Sequence, residues 1–306
     1  MTGKFGQGAD NILEAEIVTP GGDLITANVY QNKDIFWAIR GGGGGTFGVI
    51  VSLTIKAYPM PTMELWSIDV AAKHHTDSKS FWSLIVRLHS LIPELQDQGI
   101  HGYYTLTGPP ASNMLSLGGA LLLWGGANGT FENAVRPLRK LLTEANDTST
   151  YTLAPTAITS FDELLAMYPA GKSGVTTDIT ASRLLSRQTM KEKELLLAQT
   201  LEQVGPRAVA PSDGSPNFSV SGTMTISKTA VDNALNPAWR DTAVHLVVSR
   251  SWGQSLSQRQ ALQIVNDMTY GKLNALKELD PGSGAYLNEV RGSLRSSLAA
   301  TCKIQC

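Results

Sequence analysis

The chain has 306 residues, 42% of them hydrophobic and 17% charged, with a formal net charge of −1. This is the composition of a globular protein that can bury a sizeable core without covalent staples, as one large domain or two ordinary ones. The charge balance excludes bulk attraction to nucleic acid or an anionic bilayer, the longest apolar run (Gly118 to Trp124) is too short to span a membrane, and the first ten residues hold no apolar leader segment.

Residues 9–59 read as compact α/β structure. Leu13 to Thr19 alternates as a half-buried strand, Pro20-Gly21-Gly22-Asp23 makes a turn, and Leu24 to Ala27 returns as the hairpin partner. Asn32-Lys33-Asp34 is placed to cap a short helix, Ile35 to Arg40, which five glycines, Gly41 to Gly45, then stop. Val49 to Ala57 is a β-branched strand, and Tyr58-Pro59-Met60-Pro61 reads as a boundary between domains.

A second unit is expected over residues 61–279. Leu65 to Val70, Ile100 to Thr107, Met114 to Trp124, Asn217 to Ile226 and Thr242 to Ser251 are strand-like. Ser80 to Leu91 (stopping before Pro93), Thr130 to Ala145, Phe161 to Met167, Thr189 to Gln203 and Leu256 to Leu279 carry helical patterns. Strands and helices without strict βαβ rhythm point to an α+β fold, an antiparallel sheet covered by helices. Gly284 to Glu289 follow the last helix, and from Arg291 the tail has no core pattern. It holds the chain's only cysteines, Cys302 and Cys306, so the body has no disulfide, thiolate metal site or cysteine nucleophile. Three sequons, beginning at Asn128, Asn146 and Asn217, carry little weight in a chain of this size.

The glycine run is the most informative local feature. Gly43-x-Gly45-x-x-Gly48 matches a dinucleotide fingerprint as a string, but the order here is helix, glycines, strand, so the run meets a helix C-terminus, which repels phosphate. No P-loop or kinase signature accompanies it. Two readings stay open: a loop in which backbone passes close to backbone, or a backbone lying against a flat ligand ring.

Gly8 to Thr19, Gly22 to Ala27 and Asn32 to Ile50 together resemble the second half of the FAD domain in the vanillyl-alcohol oxidase and p-cresol methylhydroxylase superfamily, closest to its berberine-bridge-enzyme-like branch. Asn236-Pro237-Ala238-Trp239-Arg240 and Gly284 to Glu289 resemble two further patches of that branch, in the expected order. The resemblance stops near Glu289 and the family's N-terminal lobe would precede Met1, so the expectation is a chain truncated at both ends. It implies an FAD-linked oxidoreductase acting on a small molecule (an alcohol, sugar, amine or similar carbon) with O2 as acceptor. The expected organisation is the C-terminal part of an FAD-binding domain over residues 1–60, a substrate domain over 61–279, and a return to the flavin with a divergent tail over 280–306.

By the same resemblance Ala9 and Asp10 fall on a segment passing the FAD. Ile17 and Val18 match a strand whose backbone pairs with adenine, and such recognition calls for a strand edge. Tyr286 and Asn288 match a Tyr-x-Asn pair beside the isoalloxazine. None of the five histidines matches the flavin-linking one of bicovalent members. A side-chain base would come from the substrate sheet; Tyr103 and Tyr104 are candidates by strand location, and His245 could face the substrate cavity. His74-His75 with Asp77 lacks ligand spacing, so no metal site is expected. Two competing readings are a non-catalytic homologue that holds no FAD and a non-redox pericyclase using the same cavity. Relatives of this kind are often secreted, and the chain itself leaves its location open.

Overall fold

The structure is a computed structural model that describes residues 2–286, apart from Gly44, Asn128, Thr159, residues 168–176, residues 213–215, Lys228 and residues 253–255. Asn288, Cys302, Cys306 and the sequon asparagine at 128 therefore lie outside the described residues.

The first unit is a small antiparallel sheet. Strands β1 (Ile12–Val18), β2 (Leu24–Asn28) and β3 (Val49–Ile55) are ordered β2-β1-β3. The helix Lys33–Ile39 lays Phe36 onto Ala15, Ile17 and Ala27, the small core of this unit. Asn32 is not the side-chain cap expected of it: it sits in the left-handed region (φ 47°), and its amide donates to the Thr26 carbonyl instead. Strand β3 is exposed along its whole length, including Val49, Val51 and Ile55.

The second unit is a seven-stranded antiparallel sheet. Its strands are β4 (Met63–Ala72), β5 (Ile100–Thr107), β6 (Ser116–Trp124), β7 (Ser149–Thr156), β8 (Thr177–Ser186), β9 (Ser219–Met224) and β10 (Thr242–Trp252), in the order β7-β4-β6-β5-β9-β10-β8. Strands β7 and β8, which sequence patterning missed, form its two edges. Edge strands bury less and tolerate proline, and β7 carries Pro155. One face packs on the helices Ser78–Asp97, Arg136–Glu144 and Glu194–Val204 through Ile68, Val70, Leu106, Leu117, Val220, Leu246 and Val248.

Four helical segments differ from expectation. Ser78–Asp97 runs through Pro93, because Ile92, Pro93 and Leu95 are all buried and their packing offsets the backbone hydrogen bond that proline cannot make. The segment 130–145 breaks at Val135, where Pro137 enters the next helix within its first turn. The segment 189–203 divides at Lys193, and 256–279 contains a π-helical turn at Asp267–Lys272.

Tyr104 belongs to the covered face, which removes it as a candidate base. It is 4% exposed, and its hydroxyl donates to His89 Nε2 at 2.5 Å while His89 Nδ1 donates to the Ile85 carbonyl at 2.7 Å. Burial pushes the tyrosine upward and His89 down to about 4, so the pair is neutral at physiological pH. Tyr104→Phe would strand a buried imidazole acceptor, and urea unfolding is expected to show a loss of about 1–3 kcal/mol; an unchanged midpoint would remove the energetic role of this bond.

Candidate functional site

The uncovered face of the large sheet ends beside the small unit. Side chains alternate along each strand, so the register places Ala154, Ser67, Ala120, Tyr103, Thr223, His245 and Leu184 in one row across that face. Tyr103 is 44% exposed and its oxygen accepts from Thr105 Oγ1 at 3.3 Å. The sequence candidates Tyr103 and His245 thus share a face that Tyr104 does not.

His245 lies under two rings. Trp239, from the turn Pro237–Arg240, and Tyr286 have centroids 5.6 Å from it, and they stand 5.8 Å from each other. Such tilted and edge-on contacts suit the aromatic quadrupole. His245 is 7% exposed, and its Nε2 has no hydrogen-bond partner among the described residues. Burial pushes its imidazole down to about 4, which keeps it neutral. Tyr286 reaches this place because residues 280–286 zip onto β8: Leu184 N donates to the Gly284 carbonyl at 2.9 Å, Ser283 Oγ donates to the Leu184 carbonyl, and Arg183 donates from Nε and Nη2 to the Asp280 carbonyl.

The turn carrying Trp239 is tied to the small unit by Asp10. The Arg240 guanidinium forks onto both Asp10 oxygens at 2.7 Å, Asn233 Nδ2 adds a bond at 2.8 Å, and the Gln7 amide adds another at 2.8 Å. The Asp10 side chain is only 2% exposed. Burial alone would raise its pKa; the bonds from Arg240, Asn233 and Gln7 outweigh it and hold the carboxyl below the usual range. Asp10 was expected to face the cofactor, but its oxygens are committed to protein donors, so its part is to position the neighbouring turns. Ala9 sits beside it in the turn Gly8–Asn11, partly exposed.

The glycine run divides between the two readings. A Cβ on Gly41 would stand 2.4 Å from the Leu235 backbone, and one on Gly48 would stand 2.5 Å from the Val18 carbonyl oxygen. These are backbone contacts, the plainer reading. Gly43 (φ +101°) and Gly45 (φ +74°) differ: a Cβ on Gly43 would meet only Thr46 Oγ1 at 3.2 Å, and one on Gly45 would meet nothing within 4 Å. Helix Lys33–Ile39 is fixed to the same loop, with Trp37 Nε1 donating to Asp232 Oδ1 and Arg40 Nη2 to the Asp232 carbonyl. The run therefore touches Val18 at one end and Leu235 at the other, one residue from Asn236, whose amide packs on Gly284.

The expected free edge at Ile17 and Val18 is a correction. Strand β1 is central, and both residues pair with β2 and with β3. Sequence reasoning also missed Asp10–Arg240 as a partnership; an acid and an arginine 230 residues apart carry no periodic signal.

Among the described residues no group of three or more His, Cys, Asp or Glu could hold a metal, and no helix is long and apolar enough to cross a membrane. Arg240→Met would leave the buried Asp10 carboxylate without its counter-charge and is expected to cost about 3 kcal/mol in urea unfolding; a loss below about 0.5 kcal/mol would show the fork to be incidental. His89, His101 and His245 are each pushed down to about 4 by burial, so the unfolded chain binds more protons than the folded one between about pH 4 and 6.5. Stability should be level with respect to these groups above pH 6.5 and should fall on acidification toward pH 4. A denaturation series with no decline over that window would contradict the three buried neutral imidazoles.

No family model matches the chain. Among curated proteins it is 30% identical over 294 residues to an uncharacterized FAD-linked oxidoreductase of Arthroderma benhamiae, covering 93% of this chain and 49% of that one. It is 28% identical to the FAD-linked oxidoreductase ZEB1 of Gibberella zeae, with 94% and 49% covered. Among solved structures, the VAO-type flavoprotein MtVAO713 of Myceliophthora thermophila superposes with a TM-score of 0.82 at 26% identity, over 97% of this chain and 53% of that one. A berberine bridge enzyme variant shares the fold, with a TM-score of 0.66 at 18% identity, over 95% of this chain and 56% of that one. The chain thus spans about half the length of the curated relatives it matches. By sequence the chain belongs to the FAD-linked oxidoreductases, and it shares the fold of the VAO-type flavoprotein and of the berberine bridge enzyme variant.

Proposed function

We propose that this chain supplies the substrate sheet and part of the FAD-binding domain of an FAD-dependent oxidoreductase acting on a small molecule. Residues 1–60 belong to the FAD-binding part, 61–279 to the substrate domain, and the segment from 280 returns to the flavin. Bound there, FAD would accept hydride from a carbon of an alcohol, sugar, amine or related substrate and pass the electrons to O2.

The observation that carries the reading is the junction of the two units. There the glycine run, open at Gly43 and Gly45, packs through Gly41 on Leu235, Asn236 packs on Gly284, and the Tyr286 ring and His245 Nε2, which has no hydrogen-bond partner among the described residues, lie beside the turn that Asp10 and Arg240 hold. These features suit a flat, polar ring system: glycines allow close approach, an aromatic edge packs on it, and a neutral imidazole offers one donor and one acceptor. Gly43, Gly45, Tyr286 and His245 are the residues that would hold the group, with Asp10 and Arg240 setting their spacing. Tyr103, exposed in the same row as His245, is the side chain best placed to meet the substrate and take its proton.

One observation favours the second reading, a homologue that retains no flavin by itself: β3 is exposed over its full length, and the small unit buries only Ala15, Ile17, Ala27 and Phe36. The absorbance spectrum of the purified chain separates the two. Flavin bands at near-stoichiometric occupancy are expected, and Gly45→Val, which puts a branched side chain at a positive φ in the open part of the run, should reduce occupancy at least about tenfold while leaving the unfolding of the large sheet unchanged. A colourless wild-type chain that also gains no colour from added FAD would sink the flavin reading.

A further inference from the structure

The open face of the large sheet does not stop at the row of Tyr103 and His245. One two-residue step along the strands, about 7 Å away, lies a second row: Thr152, Asp69, Gly118 and Thr105. A third follows with Thr150, Ala71, Ser116 and Thr107. Together they line a cavity of about 420 Å3, within the range that holds a small organic ligand.

The shape follows from the residue sizes. Gly118, Ala71 and Ser116 keep the two middle strands low, while threonines stand on the flanking strands β7 and β5. Gly118 is what gives the Asp69 carboxylate its room: a Cβ there would come 3.3 Å from Oδ1. Among the described residues, the neighbouring cover stops short of the trough. At one end Leu164 of the helix Phe161–Met167 packs on Leu65, Ala120 and Trp124, and over β10 the rings of Trp239 and Tyr286 lie on His245; neither reaches Asp69.

The chemistry is one-sided. Asp69 is the only charged group lining the trough, it is exposed, and it has no hydrogen-bond or ion-pair partner among the described residues. The other polar side chains lining it are all hydroxyls, and among the described residues of the lining no Asn, Gln or Arg supplies the planar donors that would sort the hydroxyls of a sugar. An unpaired carboxylate ringed by hydroxyl dipoles is complementary to a cation, and hydrogen bonds to a charged partner are about twice as strong as neutral ones.

We propose that this trough binds the ammonium group of an amine-bearing small molecule, with Asp69 as its counter-charge and Thr105 and Thr152 as flanking hydrogen-bond partners. Asp69 lies two strand spacings across and one step along from Tyr103, about 12 Å. The substrate is thereby held at its charged end with its other end directed toward Tyr103. The inference rests on the reading of this face as the substrate side of a flavoenzyme, and it names the class of substrate; Asp69 is a specificity-determining residue, remote from the reacting atoms.

Calorimetric titration of the whole chain tests it, with phenethylamine, its neutral counterpart 2-phenylethanol, and xylobiose as probes at pH 7. Phenethylamine is expected to bind at least about tenfold more tightly than 2-phenylethanol, with the preference shrinking as salt is added. Asp69→Asn, at an exposed position, should abolish the preference, and Gly118→Val, filling the trough, should weaken both aromatic probes. Salt dependence in the wild type tests the charge without any variant. Equal binding of amine and alcohol, a preference for xylobiose, no phenethylamine binding at all, or a preference that survives Asp69→Asn would each overturn the proposal. Flavin absorbance of the same samples is an independent reading: a colourless chain with the ammonium preference leaves the trough standing and removes the flavin, and a flavin-loaded chain without the preference does the reverse.

Discussion

The two-point contact between Asp10 and Arg240 is the constraint on which the candidate site depends. Asp10 lies in the short N-terminal turn Gly8–Asn11, and Arg240 ends the turn that leads into β10. Both guanidinium bonds are 2.7 Å, and the carboxylate is closed off from water. In that setting a planar fork fixes orientation as well as distance, which a lysine at the same place would not do. Trp239 precedes Arg240 in the chain, so the register of the fork also sets where the Trp239 ring meets His245 and Tyr286. A single ion pair thereby aligns the small unit, the start of β10 and the return segment.

Around that joint the large sheet is asymmetric in a way that assigns its faces. One side buries aliphatic side chains against helices; the other carries many serine, threonine, glycine and alanine residues, with Tyr103, His245 and Asp69 among its polar groups. Antiparallel sheets tolerate such one-sided exposure. What distinguishes this one is the low relief of its open face around Gly118, Ala71 and Ser116.

The sequence showed this unevenly. Period and β-branching located β5 and β10 closely, and motif order pointed to the family from Gly8 to Ile50, because local signals are carried by neighbouring residues. The outer strands β7 and β8 escaped because each has one sheet neighbour and a mixed polar pattern. Tyr103 and Tyr104 could not be told apart as candidates without knowing which face the helices cover; adjacent strand residues point oppositely, and only the packing of the helix Ser78–Asp97 decides. Asp10 looked like a ligand residue because its motif position was legible while its partner, far along the chain, was not. Asp69 carried no motif at all. It stands out only once β4, β6 and β5 are aligned and Gly118 is seen beside it.

The small unit is held in place by its attachments more than by its own core. Its four buried side chains are few beside the large core of the second unit, and its outer strand, which presents Val49, Val51, Leu53 and Ile55 to solvent, has no covering layer among the described residues. What locates it are the Asp10 fork and the anchors from Trp37 and Arg40 to Asp232. On the proposed flavin reading, docking of this unit and assembly of the cradle are one equilibrium: whatever loosens the fork would loosen the cradle, and a ligand bound there would tighten the fork. The open trough at Asp69 lies outside this coupling, because it is built entirely within four strands of the large sheet. The two halves of the site therefore differ in how they are held, one by contacts across a joint and the other by the sheet itself.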